Sequence, residues 1–391
     1  MNETTVLSKK PASRRPWSLR RKLVLGGALA LAVLALALGL GLGLTIGRDN
    51  DGGDDDNDGN GGGHDGSPTP TSPPLPTPTG NVTWTPKVNV TWQIILQSNM
   101  ILDEDATSVT PDVAVYDIDL FDTPAETIAT LHRLGKKVIC YFSGGSYEPG
   151  RPDSGDFKEE DMGKELEGWP GERWLKLGSE NVRRIMRGRV ELAGQKGCDG
   201  VDPDNVDGYV SRLFLCALQL LLLLLLPGQL DMTSACHVTD EDAGLTVPQQ
   251  NENGLGLTAA DSVDFMAYLS NLTVPLHLAL GLKNAGDIIT EVLPIVHFSV
   301  NEQCVEESEC DTFAPFIAAD KPVFHIEYPD GAGDKSGLKK SVVHKYCGDQ
   351  DAAAGSGGFS TVLKKMDLDG WVEYCDEDVR ITAVNGTDSA R

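Results

Sequence analysis

The sequence is short of positive charge. Against 58 Asp and Glu it carries 33 Lys and Arg, a formal net charge of −25 over 391 residues. That balance argues against nucleic acid, whose phosphate backbone needs a basic face. A cationic partner or substrate suits the charge better. Zinc-ligand spacing is missing among the cysteines, and the seven His are scattered, so neither a metal nor a cofactor is expected. No glycine-rich loop follows the first predicted strand, which removes the dinucleotide-binding class of α/β folds. Long apolar runs are scarce too, but there are two and each poses its own problem.

The first lies near the N-terminus. A basic tail over 1–22 (Lys9, Lys10, Arg14, Arg15, Arg20, Arg21 and Lys22) precedes an apolar run of 24 residues, Leu23 to Ile46. That length spans a bilayer core of about 30 Å at about 1.5 Å per residue. Basic residues before it and "RDNDGGDDDNDG" after it leave the N-terminus in the cytosol. The expectation is one transmembrane signal anchor, giving a single-pass type II membrane protein with its body extracellular or facing the cell wall. A long cleaved signal peptide, which would release a secreted form, is the competing reading. Residues 47–80 are Asp/Gly-rich and then Pro/Thr-rich, too poor in apolar surface to order and expected to be a disordered spacer. Glycosylation sequons follow at Asn81, Asn89, Asn271 and Asn385, all on the side expected to be lumenal.

Eight cysteines are present. Cys216 and Cys236 flank or lie within the second apolar run. In an oxidising compartment the other six favour disulfides. Cys304 with Cys310 would close a short loop and Cys347 with Cys375 a longer one, leaving Cys140 with Cys198.

From Trp92 onward, short apolar runs alternate with amphipathic segments. Strands are predicted at 92–96, 112–120, 137–143, 198–205, 274–284, 294–302 and 321–328, with a last one near 359–365. Helices are predicted at 124–135 and 258–270, the second with Thr258 as cap and Asp261 closing a capping box. Strands alternating with helices imply parallel pairing. Eight such units fit a (β/α)₈ TIM barrel over 81–391 better than a doubly wound sheet.

Barrel chemistry sits at the C-terminal ends of the strands. Those ends carry "YDIDLFD", "CYFSGGSYEPGRPDSGDF", "DPDNVDGY", "GLKN", "NEQC" and "HIEY": carboxylates, amides and aromatics, with hardly any Arg. Paired carboxylates are what glycoside hydrolysis requires, one to protonate the leaving oxygen and one to attack the anomeric carbon or activate water. Tyr116, Tyr141, Tyr209 and Tyr328 are candidate platforms for sugar faces. Asp204, at the mouth of the fourth strand, and Glu302, after an apolar strand, are the catalytic candidates. Asp202 competes with Asp204, because alternation puts both on one side. Glu327 and Asp117 are further candidates, although an Asp in such a place often only caps or stabilises its loop, and Asp207 has the look of a turn former.

Together "DVAVYDIDLFD", "KVICYFSGGSYEPGRPDSGDF", "GCDGVDPDNVDGY", "NGLGLTAADSVDFMAYLS", "LGLKN" and "VNEQC" closely resemble glycoside hydrolase family 114, the endo-α-1,4-polygalactosaminidases. The likeness runs from about Trp92 to Cys375. It implies a (β/α)₈ barrel that cuts α-1,4-linked galactosamine polymers within the chain. It also implies Asp204 as nucleophile, Glu302 as acid/base, and substrate contact by Asp117, Lys283 and Asn284. A de-N-acetylated galactosamine polymer is cationic, which an acidic cleft would attract. A catalytically silent polysaccharide-binding barrel and a hydrolase of another α-linked glycan are the alternatives.

The second uncharged run, "LFLCALQLLLLLLL" at 213–226, interrupts that likeness. As a span it is too short, and a second crossing would put Asp204 and Glu302 on opposite sides of the membrane. As a soluble helix it lacks any polar rhythm. Without 210–250, "DNVDGY" runs directly into "NENGLGLTAADSVDF". Val210-Ser211 can be encoded in the form of a splice donor and Gln249 or Gln250 as an acceptor, and the 41 codons keep the frame. The expected explanation is a retained intron.

Overall fold

A computed structural model describes residues 81–209 and 253–385. The expected anchor (23–46), the spacer (47–80) and the suspected insertion (210–250) lie outside the described residues. Within them, no helix is long and apolar enough to cross a membrane.

Strands β1 (Trp92–Ile95), β2 (Val115–Asp119), β3 (Lys137–Ser143), β7 (Gly200–Asp204), β8 (Ala279–Lys283), β9 (Phe298–Glu302), β10 (Val323–Glu327) and β11 (Ser360–Leu363) pair in that order. Every one of these pairings is parallel. A hairpin, β12 (Trp371–Tyr374) and β13 (Val379–Ile381), continues the sheet antiparallel. The sheet curls until its first strand meets β11. Trp92 Nε1 donates to the Ser360 carbonyl at 2.7 Å, Lys364 Nζ to Gln93 Oε1 at 3.0 Å, and the Leu96 amide to the Leu368 carbonyl at 3.0 Å. The architecture is TIM-like.

Outside the sheet lie α1 (Ala125–Arg133), α2 (Glu180–Lys196) and α3 (Ala259–Thr273), then the shorter α4 (Ile289–Val292), α5 (Cys304–Glu307), α6 (Ala314–Ala318) and α7 (Lys340–Cys347). The expected box at the start of α3 forms: Thr258 N donates to Asp261 Oδ2 at 2.7 Å, and Asp261 N to Thr258 Oγ1 at 3.3 Å. Gly197 ends α2 in the left-handed region, φ 87°. The eight β/α units are not equal, however. The β1–β2 connection holds no helix among the described residues, and α4 is a single turn. A three-stranded sheet, β4 (Ser146–Tyr147), β6 (Arg173–Leu175) and β5 (Met162–Glu165), leaves the barrel after β3. Its strands are too short for alternation to reveal in the sequence.

Period-two alternation separates two apolar layers. Trp92, Ile94, Val115, Ile139, Phe298, Val300, Phe324 and Ile326 fill the inside of the curled sheet. Tyr116, Ile118, Val138, Val201, Leu280 and Leu282 face outward against helix residues such as Leu131, Met186, Phe265 and Leu269. Phe298 leaves no room opposite itself: a Cβ on Gly281 would stand 2.3 Å from its ring. The disulfides pair as expected. Cys140–Cys198, Cys304–Cys310 and Cys347–Cys375 have Cα separations of 6.0, 4.7 and 5.5 Å, ordinary for such bonds. The described chain begins at the N-terminal end of the strands, where His277 Nδ1 lies 2.8 Å from the Asn81 carbonyl in the turn before β8.

Candidate active site

Strand parity carries the charged groups inward. Asp117, Tyr141, Asp202, Asp204, Lys283, Glu302 and Tyr328 share the parity of the interior layer, so they gather above it at the C-terminal end of the strands. Lys283 sits at the centre. Its side chain is 2% exposed, and Nζ lies 3.3 Å from Asp204 Oδ2 and 3.3 Å from Glu302 Oε2. Those two carboxylate oxygens therefore lie within twice that distance of each other. Burial opposes the charge on Lys283, but Asp204, Glu302 and Asp202 hold its ammonium well above the usual lysine value.

Asp204 is positioned from three sides. Tyr141 donates to Oδ2 at 2.9 Å, Lys283 approaches the same oxygen, and the Asn205 amide donates to Oδ1 at 2.8 Å. The backbone is fixed as firmly, because Gly144 N and Gly145 N both donate to the Asp204 carbonyl, at 2.7 and 2.9 Å. Only glycine permits this approach: a Cβ on Gly145 would lie 1.8 Å from the Asn205 carbonyl. Asn205, in the left-handed region at φ 60°, donates from its side chain to Ser146 Oγ at 2.8 Å.

Glu302 is held in a comparable way. Tyr328 donates to Oε1, Asn284 Nδ2 to Oε2 at 3.3 Å, and the Glu302 amide to Asn284 Oδ1 at 2.9 Å. Burial pushes its carboxyl up, yet Lys283, Tyr328 and Asn284 outweigh burial and hold it below the usual glutamate value. The Tyr141 hydroxyl is held well above its usual value by burial and by Asp204, so it remains a donor.

Geometry separates Asp202 from Asp204. Asp202 faces inward as parity requires, but it is wholly buried and neither carboxylate oxygen has a hydrogen-bond partner. Burial first, then Asp204 and Glu302, push its carboxyl up to about 7 against the pull of Lys283. Asp117 is equally buried and unpartnered, and burial with Asp202 raises it well above the usual range. Both lie beneath the open part of the site. Burial and Asp204 push Asp207 up to about 6.

Two of the residues singled out above lie elsewhere. Glu327 has outward parity and is buried behind the sheet, accepting from the Val305 amide at 2.7 Å and facing His325 Nε2 at 2.9 Å. It braces the start of α5 and does not enter the site. Tyr116 also points outward, fully buried, with its hydroxyl on the Pro111 carbonyl, so it offers no sugar platform. Arginine, by contrast, is better represented than the strand ends imply. Arg151 pairs with Glu148 and Asp119, and Arg189 from α2 donates to the Ser143 carbonyl at 2.6 Å and pairs with Asp153. Both brace the loop after β3, Arg151 from within that loop and Arg189 from a helix that strand-end reading does not sample. Cys304, Cys310 and His325 draw within 4.8 Å, but the two sulfurs are bonded to each other. The sequon residues Asn81, Asn89, Asn271 and Asn385 are all exposed.

Among curated proteins compared with the chain, none matches. Among solved structures it is similar to Aspergillus fumigatus Ega3, determined in complex with galactosamine: 43% identity over 75% of this chain and 98% of that one, TM-score 0.59. A more distant likeness is to the glycoside hydrolase domain of PelA from Pseudomonas aeruginosa, at 11% identity over 75% of this chain and 99% of that one, TM-score 0.48. The sequence pattern of glycoside-hydrolase family GH114 matches residues 74–380. Most of the chain falls within that match, and with 43% identity to a solved relative the protein belongs to glycoside-hydrolase family GH114.

Proposed function

We propose that the protein hydrolyses internal α-1,4 linkages in galactosamine-containing polysaccharide, with Asp204 as nucleophile and Glu302 as acid/base. One observation carries this reading: Lys283 Nζ touches both carboxylates at 3.3 Å. The separation this allows fits the short gap of about 5–5.5 Å used by retaining glycosidases better than the roughly 6.5–9.5 Å of inverting ones. Asp204 attacks the anomeric carbon while Glu302 protonates the departing oxygen. A water then attacks the glycosyl-enzyme as Glu302 takes its proton. The lowered Glu302 carboxyl is the form needed in that second half. For the first half it must gain a proton when the saccharide covers it, and its burial already pushes in that direction. The galactosamine bound to Ega3 supports the sugar class, as does the net charge of −25, which favours a cationic polymer.

On the same reading the seam between β1 and β11 closes an eight-stranded barrel. The apolar run at 23–46 anchors that barrel outside the cytosol, and 210–250 is an aberrant insertion.

Incubation with a galactosamine polymer and with a galactose polymer tests the activity. Oligosaccharides should appear from the first only. Asp204→Asn should abolish them, and Glu302→Gln should slow release by about 10²–10⁴-fold. Tight binding of the polymer with no product would identify a silent binding barrel instead.

A further inference from the structure

One aromatic side chain is spent on the surface. Trp169 is 48% exposed, and it is the sole aromatic among the large exposed hydrophobic residues of the described chain. It stands at the tip of the β5–β6 hairpin. The base of that hairpin is part of the catalytic end of the barrel: Ser146 pairs with Trp174 in β6 and accepts from Asn205, the residue after Asp204. Trp174 packs against Gly208, and the Leu175 amide donates to the Gly145 carbonyl at 2.8 Å.

The tip is rigid. The Trp169 amide donates to the Leu166 carbonyl at 3.2 Å and closes one turn. Its own carbonyl accepts from the Glu172 amide at 3.1 Å and closes the next. Pro170 follows, then Gly171 at φ 85°, the arrangement of a type II turn. Leu166 N also donates to the Glu172 carbonyl at 2.9 Å, and Gly171 lies against Pro149 in the loop after β3. Neither turn requires an indole at this position, and polar residues suit such a tip as well. Glu165 and Glu167, both exposed, precede it in sequence. From Trp174 the hairpin runs extended to Glu172, on the order of 7 Å at about 3.3 Å per residue, before the turn carries it to Trp169.

We infer that Trp169 is a remote saccharide-binding platform, holding a sugar of the cationic polymer a few units from the cleaved bond. The inference rests on the proposed substrate class. An exposed indole preceded by two exposed carboxylates suits an amino sugar twice over: its face takes the apolar face of the ring, and it attracts an ammonium by cation–π interaction. Because the turns fix the backbone that carries the indole, only its side-chain torsions remain to be ordered on binding.

The test compares the full chain with Trp169→Ala and Trp169→Phe. Substrates are a de-N-acetylated galactosamine polymer and a galactosamine oligosaccharide too short to reach the hairpin. For Trp169→Ala, KM on the polymer should rise roughly two- to fivefold, the range expected of an exposed cation–π contact, with kcat unchanged. Trp169→Phe should recover part of the loss, and kinetics on the short substrate should not move. An unchanged polymer KM, or equal losses on long and short substrates, overturns the platform. If the wild type releases no product, the proposed activity fails by itself. Retardation in a gel containing the polymer then decides the platform: weaker retardation of Trp169→Ala supports it, and equal retardation rejects it.

Discussion

At the scale of single residues, strand parity brought Asp202 and Asp204 to the same side, and sequence alone could go no further. What separates them is depth and donors, and neither is written into alternation. Asp204 has Tyr141, Lys283 and the Asn205 amide, whereas Asp202 is wholly buried without a partner. The difference is measurable. The folded-state value for Asp202 is raised from 3.8 to about 7, so the folded protein holds this proton more tightly than the unfolded chain does. Its contribution to stability is therefore complete below 3.8 and is lost as pH rises towards about 7. In thermal unfolding across that window Asp202 by itself contributes a downward slope to the stability of the wild type, against carboxylates held low such as Glu148 and Asp199. Asp202→Asn should flatten the slope by up to about 1.4 kcal/mol per pH unit; an unchanged slope would show that Asp202 is ionised throughout. Glu327 teaches the opposite lesson. A carboxylate one position off parity belongs to the outer layer whatever its neighbours, and that much could have been read from the alternation of "VFHIE".

At the scale of elements, the long helices and the parallel strands were legible because periodicity and caps mark them, as Thr258 and Asp261 do for α3. The β4–β6 sheet was not, since two- to four-residue strands carry no period. Nor was the need for glycine after β3. Gly145→Ala would drive a Cβ to 1.8 Å from the Asn205 carbonyl, moving the backbone that aims Asp204. Activity should fall by at least tenfold while α2 and α3 keep their helicity by circular dichroism. The ends of the suspected insertion also meet. Asn253 Nδ2 donates to the Gly208 carbonyl, and the Asn253 carbonyl accepts from the Lys164 amide at 2.8 Å. With 210–250 deleted, Tyr209, Asn251 and Glu252 remain to join Gly208 to Asn253, enough chain to close so short a gap. The deletion variant should fold with Tm no lower than that of the full chain and should retain any hydrolytic activity. A collapse of Tm would show that the segment is part of the fold.

Over the whole molecule, charge matters more than any one contact. With a net charge of −25, encounter with a cationic polymer should be steered by the field of the protein, which salt screens beyond about 8–10 Å. The value of kcat/KM on a de-N-acetylated polymer should fall several-fold between about 20 mM and about 500 mM salt, and much less on an acetylated one. Equal salt dependence on both would remove the steering argument. The eight-strand order was legible because each unit repeats the same two periods. The unequal helical layer was not, because sequence rhythm says little about how much cover a strand needs.

The described chain begins at the blunt end of the strands. Asn81 and Thr83 lie against the turn at His277, before β8, while Asp204 and Glu302 lie at the far ends of their strands. Asn89, just before β1, and Asn271, near the end of α3, belong to that same blunt end. Any glycans on these three asparagines would gather there as a collar, and the mouth would stay bare.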